Sequence, residues 1–203
     1  CLFNCALTSF FCCGDILDAV CLSSFSFAPY YFSPVLLITL FLLLRINKNH
    51  NFSLIFFFGF GFFLSGIYWI TIALNIFGQM PFIGAITATF ILCLFLAVFF
   101  LPLKFNNQNF ISAFFIASLF TLLEWLRSFI FTGFPWLSLG YSQVPSGPLA
   151  GFLPIFGIHG VSFLIILSIT LLAQCIKTSS KTRIILLSTI LLIWCGGHLL
   201  KKI

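Results

Sequence analysis

The chain alternates long hydrophobic runs with short polar or Gly/Pro-containing segments. The clearest run, residues 52–77, has no charged residue over 26 positions, and a helix needs about 20 apolar residues to cross a bilayer. Repetition of this pattern predicts an all-α fold, a polytopic transmembrane helix bundle of about seven spans. The predicted spans are residues 1–24, 33–46, 52–77, 82–103, 110–131, 151–176 and 184–200.

Two of these runs depart from a standard span. Residues 1–24 contain Asp15 and Asp18, and a carboxylate near the bilayer centre costs about 3 kcal/mol. The same run lacks the basic start of a signal peptide. Residues 33–46 are short for a span, which favours a tilted or re-entrant segment.

The composition places the whole chain, residues 1–203, in a single transmembrane domain. Hydrophobic residues make up 62% of the chain and charged residues 6%, whereas a soluble domain carries about 25% charged residues. No basic patch interleaved with aromatic residues is present, so no nucleic-acid partner is predicted. The eight cysteines show no CxxC spacing, and no His is placed among them in a way that suggests a zinc site, so we predict no metal site and no cofactor. A disulfide among the five N-terminal cysteines remains open.

The basic residues predict the orientation. If all seven runs cross, one side of the membrane collects six basic residues and the loops on the other side have none; the six are Arg45, Lys48, Lys104, Lys177, Lys181 and Arg183. The positive-inside rule makes the basic side cytoplasmic and turns the loop 132–150 outward. Lys201 and Lys202 fall on the outer side and do not fit this rule.

Glu124 and Arg127 are the charged residues that most need an explanation. The chain has only three acidic residues, and these two side chains lie three positions apart, so they share one helix face. One interpretation is a structural ion pair that locks helix packing. The other is a polar pocket for a lipid head group or a partner domain, because charges within a membrane are often functional.

The residues that follow this pair resemble a known family, apolipoprotein N-acyltransferase. The similar motifs are Glu124-x-x-Arg127, Thr132-Gly133-Phe134-Pro135-Trp136, Leu139-Gly140-Tyr141-Ser142-Gln143, Gly147-Pro148-Leu149-x-Gly151 and Gly157-x-x-Gly160-x-x-Phe163. Upstream, Phe27-Ala28-Pro29, Gly59-Phe60-Gly61 and Phe77-Gly78-x-Met80-Pro81 extend the resemblance. It covers about residues 27–176 in order.

The resemblance implies an enzyme of the bacterial cytoplasmic (inner) membrane. Such an enzyme transfers an acyl chain from a phospholipid to the α-amino group of the lipidated N-terminal cysteine of apolipoproteins. The reaction is ping-pong: a cysteine thiolate forms a thioester, a carboxylate acts as general base, and a lysine stabilises the oxyanion. In the family these three groups lie in an outer nitrilase-like domain that follows the seventh span.

No nitrilase-like pattern is present up to Ile203, so no catalytic residue is assigned in this chain. Glu124 belongs to the membrane part and is not the family's general base. We therefore expect the chain to be the membrane part of the enzyme, to provide anchoring and lipid access, and to be inactive alone. The implied partners are membrane phospholipid, an apolipoprotein substrate bound through the missing domain, and a nitrilase-like domain if one is encoded separately.

The outward loop supplies the other candidate site residues. Gly133 and Pro135 are expected to fix the loop backbone. Trp136 and Tyr141 are expected at the membrane interface, or in contact with a head group or the catalytic domain. Two alternative functions remain open: a small transporter or channel subunit, and a lipid-binding module that pairs with a separate soluble domain.

Overall fold

A computed structural model describes residues 26–27, 33–47, 51–105, 109–130, 133–176 and 178–201. These residues form a helical bundle, as predicted. Its helices are α1 (Pro34–Ile46), α2 (Phe52–Ile67), α3 (Trp69–Ile76), α4 (Phe82–Ala97), α5 (Phe110–Arg127), α6 (Leu153–Cys175) and α7 (Ser180–Leu200). The predicted span 1–24, with Asp15 and Asp18, lies outside the described residues.

Helix starts follow the polar residues between the hydrophobic runs. The Asn109 side chain accepts a hydrogen bond from the Ser112 backbone N–H at 3.0 Å, and the Ser112 hydroxyl accepts one from the Asn109 N–H at 3.0 Å. This reciprocal capping box satisfies two otherwise unpaired donors at the start of α5. At the start of α2, Asn51 accepts from the Ser53 N–H at 3.1 Å. The asparagines between the runs thus mark where helices begin.

Four helical segments of the described residues are long and apolar enough to span a membrane; they are Phe82–Lys104, Phe110–Arg127, Ala150–Cys175 and Ser180–Leu200. A fifth is reached if α2 and α3, which meet at a 50° bend, count as one. Helix α1, at 13 residues, is shorter. By length and composition, the described helices thus provide four spans, or five if the bent pair counts as one; the short helix α1 lies where residues 33–46 were predicted to span.

Several predicted boundaries change. Residues 52–77 are two helices separated at Tyr68, not one continuous span. Helix α7 begins at Ser180 rather than at residue 184, and therefore includes Arg183. The Arg183 Nε donates to the Cys175 carbonyl at 2.8 Å and its Nη2 to the Thr178 carbonyl at 3.1 Å, so the charge is held by the preceding helix end.

The predicted sixth span is also interrupted. Helix α6 runs from Leu153 to Cys175, but Gly157 inside it has φ 66° and ψ −173°, which is not helical. Glycine adopts this backbone conformation without a Cβ clash. The kink separates the first turn of α6 from the long segment that crosses the bundle.

Helix α6 is the centre of the bundle. It contacts α1, α5 and α7, and it also contacts the short helix at residues 139–143. Beside it, a cluster of phenylalanine rings joins α2 and α5 through Phe100, which lies in the 3₁₀ helix Val98–Lys104 after α4. The ring centroids of Phe62 and Phe100 lie 5.2 Å apart, and those of Phe100 and Phe120 lie 5.6 Å apart. These edge-on and tilted contacts fill the core with apolar volume.

Helices α2 and α4 approach closely at Gly59. A Cβ at Gly59 would lie 3.0 Å from the Ala97 carbonyl oxygen and 3.1 Å from the Phe100 Cβ. A Cβ at Gly196, on α7, would lie 3.4 Å from one atom of the Phe152 ring, which is ordinary contact. Small residues allow this kind of backbone approach between membrane helices.

We expect Gly59→Ala to lower stability relative to Gly196→Ala. Both substitutions gain the same helix propensity, about 1 kcal/mol, so their difference reports the crowding at Gly59, which costs about 1–3 kcal/mol. The measurement is thermal unfolding of the purified chain in one detergent. Equal midpoints for the two variants would contradict the close α2–α4 packing.

Candidate functional site: a buried charged pair and the loop it holds

The predicted pair lies in the last turn of α5 and is buried. Glu124 is 4% exposed and Arg127 is 3% exposed. The Arg127 Nη2 lies 4.0 Å from the Glu124 Oε1, and the guanidinium carbon lies 5.2 Å from the centroid of the Phe63 ring on α2. The two charges therefore offset each other, and the aromatic face adds a cation–π contact.

The same two side chains hold the loop that follows α5. The Glu124 Oε1 accepts a hydrogen bond from the Leu139 backbone N–H at 2.8 Å. Leu139 begins a 3₁₀ helix, Leu139–Gln143, whose first N–H groups have no partner within the helix. The Arg127 Nη2 donates to the Ser138 hydroxyl at 3.1 Å, and that hydroxyl donates to the Pro135 carbonyl at 2.9 Å. The carboxylate and the guanidinium thus bind adjacent residues of one loop.

Helix α6 provides a second anchor for this loop. The Gly140 N–H donates to the Ser162 hydroxyl at 2.8 Å. A Cβ at Gly140 would come within 2.2 Å of the Ile158 carbonyl oxygen, so only glycine fits this approach. On the same helix, the His159 Nδ1 lies 3.6 Å from the Glu124 Oε2, with His159 28% exposed. Glu124 therefore faces the loop with one oxygen and α6 with the other.

The far part of the loop contacts the end of α7. The Lys201 Nζ donates to the Ser146 carbonyl at 2.9 Å. A Cβ at Gly151 would meet the Gly197 carbonyl oxygen at 2.1 Å, so the two backbones touch. The opposite end of the bundle carries Asn109, whose carbonyl accepts from the Gln174 Nε2 at 2.6 Å. The loop and the end of α7 therefore share one end of the bundle.

Of the other predicted site residues, Gly133 and Pro135 contribute through their backbone, whereas Trp136 and Tyr141 lie on the surface. Gly133 has φ 87° and ends the turn after α5, where the Phe134 N–H donates to the Arg127 carbonyl at 3.0 Å. The Pro135 carbonyl accepts from Ser138 as described. Trp136 is 51% exposed and Tyr141 is 46% exposed. The Trp136 ring centroid lies 6.1 Å from that of Trp69 on α3.

The structure thus brings Glu124 and Arg127 together with the loop backbone but leaves Trp136 and Tyr141 on the surface. Ser138, Ser162 and Lys201 also hold the loop, and the sequence analysis missed them as site residues. A single serine in an apolar helix such as α6 carries no signal of its own, because small residues are common at membrane helix contacts. Thr132, part of the quoted motif, lies outside the described residues.

In the described site, Glu124 and Arg127 hold the loop by hydrogen bonds, and we call this arrangement the polar clamp. Within the described ranges, no group of three or more His, Cys, Asp or Glu side chains is placed to hold a metal ion. The free cysteines of those ranges are Cys93, Cys175 and Cys195. The arrangement can fix backbone groups and offset charge.

The comparisons with known proteins agree on one family. Residues 19–171 match the family model described as the apolipoprotein N-acyltransferase N-terminal domain. The chain is 37% identical over 173 residues to the apolipoprotein N-acyltransferase of Nitrosomonas europaea, covering 77% of this chain and 34% of the relative. It is 32% identical over 187 residues to that of Haemophilus influenzae, covering 87% and 35%. The chain spans about a third of the length of these curated relatives.

A double-mutant cycle tests the buried pair. We expect Glu124→Gln and Arg127→Gln each to lower the free energy of unfolding by about 3–5 kcal/mol, because each leaves the other charge buried and unpaired. The double variant should lose about 1–3 kcal/mol less than the sum of the two single losses. The measurement is reversible unfolding in mixed detergent.

The exposed Arg183 provides the control for this cycle. Arg183→Gln on α7 should change stability by less than about 0.5 kcal/mol beyond the loss of its hydrogen bonds, about 1 kcal/mol. Strict additivity of Glu124→Gln and Arg127→Gln would show that the two charges are not coupled.

Proposed function

The chain belongs to the apolipoprotein N-acyltransferase family, and we propose that it forms the membrane part of an enzyme that transfers an acyl chain from a phospholipid to the lipidated N-terminal cysteine of lipoproteins. In this role it anchors the catalytic domain and gives lipid access to it. The match to the N-terminal domain of the family supports this proposal. The share of the relatives that the chain covers, about a third, also supports it.

The loop at residues 133–152 is the observation that carries the proposed role. Its buried side is fixed by hydrogen bonds to Glu124, Arg127 and Ser162, and its far part touches the end of α7 through Lys201. A catalytic domain that continues from α7 would begin beside this loop. The loop is therefore suited to act as the platform on which that domain rests.

Aromatic side chains at the same end suit lipid access. Trp69, Trp136 and Tyr141 are all at least 40% exposed, and the rings of Phe134 and Trp136 lie 5.3 Å apart. Amphipathic rings favour the level of the lipid head groups. The proposal assigns this surface to the region where a phospholipid leaves the bilayer and approaches the catalytic domain.

The proposed orientation places the loop outside and the basic end in the cytoplasm of a bacterial inner membrane. Arg183 lies at the start of α7, and Lys104 lies with its Nζ 5.7 Å from the Phe52 ring centroid at the start of α2. Both are at the helix ends away from the loop. The single described lysine at the loop end, Lys201, is bound to the loop carbonyl of Ser146.

The contacts of the charged pair favour a scaffold over a transport path. A transporter needs charges that line a water-accessible route near the membrane centre. Here Glu124 and Arg127 are at most 4% exposed and are bound to loop residues. The proposal therefore assigns the pair to fixing the platform, and it includes no acyl transfer by the 203-residue chain alone.

A chimera tests the proposed function. Joining residues 1–203 to the remaining part of the Nitrosomonas europaea relative should restore N-acylation of a diacylated lipoprotein in phospholipid vesicles, because the membrane part supplies anchoring and lipid access. The readout is the mass of the lipoprotein N-terminal peptide. The matched control is the same catalytic part joined to an unrelated single membrane helix, which should be inactive or weakly active.

Two results would overturn the proposal in different ways. Acylation by the purified 203-residue chain would show that it carries its own catalytic groups. Equal activity of the chimera and the single-helix control would show that this bundle does nothing beyond anchoring.

Orientation has its own measurement. Alkaline phosphatase inserted after Ser146 should be active, because this loop faces outward, whereas insertion after Ser179 should leave it inactive in the cytoplasm. Green fluorescent protein at the same two sites should give the reverse pattern. Activity of the phosphatase at both sites would refute the alternating topology.

A further inference from the structure

Several buried polar atoms beside the charged pair have no hydrogen-bond partner among the described residues. On Arg127 these are Nε and Nη1, and on Glu124 the atom is Oε2. His159 Nδ1 is in the same position, 3.6 Å from Glu124 Oε2. Buried donors and acceptors of charged groups are rarely left unpaired, because each has lost its hydrogen bonds to water without gaining a partner. The direct contact between the two charges does not satisfy them, since their closest atoms are 4.0 Å apart.

A small cavity lies beside these two side chains. Its volume is about 10 Å³, and its walls are Glu124 and Arg127 together with four phenylalanine rings and two leucines. A cavity of this size holds about one water molecule, provided that two or more polar groups line it. Polar contacts longer than about 3.5 Å are also the ones that a water commonly bridges.

We propose that this cavity is an internal water site, in which one water accepts a hydrogen bond from the Arg127 guanidinium and donates one to the Glu124 carboxylate. The ligand is neutral and must both donate and accept. An anion would match Arg127 but would lie against the Glu124 carboxylate, and a cation would meet the opposite conflict.

The water completes the clamp on the loop. Arg127 Nη2 already donates to Ser138 and Glu124 Oε1 already accepts from Leu139. With the water between them, one unpaired N–H of the Arg127 guanidinium and the Glu124 Oε2 gain a partner without any movement of α5. The bridge holds both side chains in the rotamers that bind the loop, so the water acts as a structural part of the platform. This inference does not depend on acyl transfer.

Arginine-selective ¹⁵N labelling makes the site observable. The full chain has three arginines, Arg45, Arg127 and Arg183, so its Nε spectrum is simple. In lipid bilayers, magnetisation transfer from water protons to the Arg127 Nε should proceed at least about threefold faster than to the Arg127 backbone amide, which lies within α5. The Arg183 Nε, which donates to the Cys175 carbonyl at 2.8 Å, provides the reference for a guanidinium N–H that is already paired within the protein.

A matched pair of substitutions locates the water. Phe120→Trp adds volume to a wall of the cavity and should reduce transfer to the Arg127 Nε at least about threefold. Phe115→Trp makes the same exchange on the same helix, where the ring is 52% exposed, and should leave the transfer unchanged. Arg45 and Arg183 should not respond to either substitution.

The wild-type measurement decides the matter even if Phe120→Trp does not fold. Transfer to the Arg127 Nε as slow as to its own backbone amide would overturn the proposal, because no water would then lie within reach. Fast transfer that Phe120→Trp leaves unchanged in a folded protein would also overturn it, because the water would then lie outside this cavity. We expect fast transfer to the Arg127 Nε in the wild-type chain and in Phe115→Trp, and slow transfer in Phe120→Trp.

Discussion

A backbone N–H that lies outside a helix but inside an apolar bundle still needs a hydrogen-bond acceptor. This constraint organises the end of the protein that carries the loop between α5 and α6. Between α5 and α6 the described residues are non-helical or only briefly helical. The Leu139 N–H donates to the Glu124 carboxylate, the Gly140 N–H donates to the Ser162 hydroxyl, and the Phe134 N–H donates to the Arg127 carbonyl. The carboxylate is therefore present because the loop requires a strong acceptor, and the guanidinium is present because a buried carboxylate requires a countercharge.

The remaining packing follows from this arrangement. The loop can reach Glu124 only if it lies tightly on α6, which explains the backbone contact at Gly140 with Ile158. The far part of the loop reaches α7 through the touching backbones of Gly151 and Gly197. On the other side of Arg127, Phe63 presents its ring to the charge and joins α2 to the site. One charged pair thus links α2, α5, α6 and the loop.

The loop has a fixed face and an exposed face, and the proposed function uses both. The fixed face consists of backbone groups bound to α5 and α6, so it holds its position when a neighbouring domain presses on it. The exposed face carries Trp136 and Tyr141, which suit the membrane interface. In the proposed function, this combination would serve as a platform for the catalytic domain at the membrane interface.

The sequence by itself determined the membrane class, the helical fold, most helix positions and the family. These follow from the long apolar runs, from the polar segments between them, and from the Thr132–Trp136 motif, all of which are local in the chain. Only the tertiary structure decided the break at Tyr68, the early start of α7 and the partners of Glu124. Glu124 and Arg127 share a helix face in any helix, so their spacing predicts a pair but not what the pair binds. Leu139, Ser162 and Lys201 become neighbours of one loop only after α5, α6 and α7 pack, because contacts between residues distant in the chain depend on how helices meet rather than on periodicity within each.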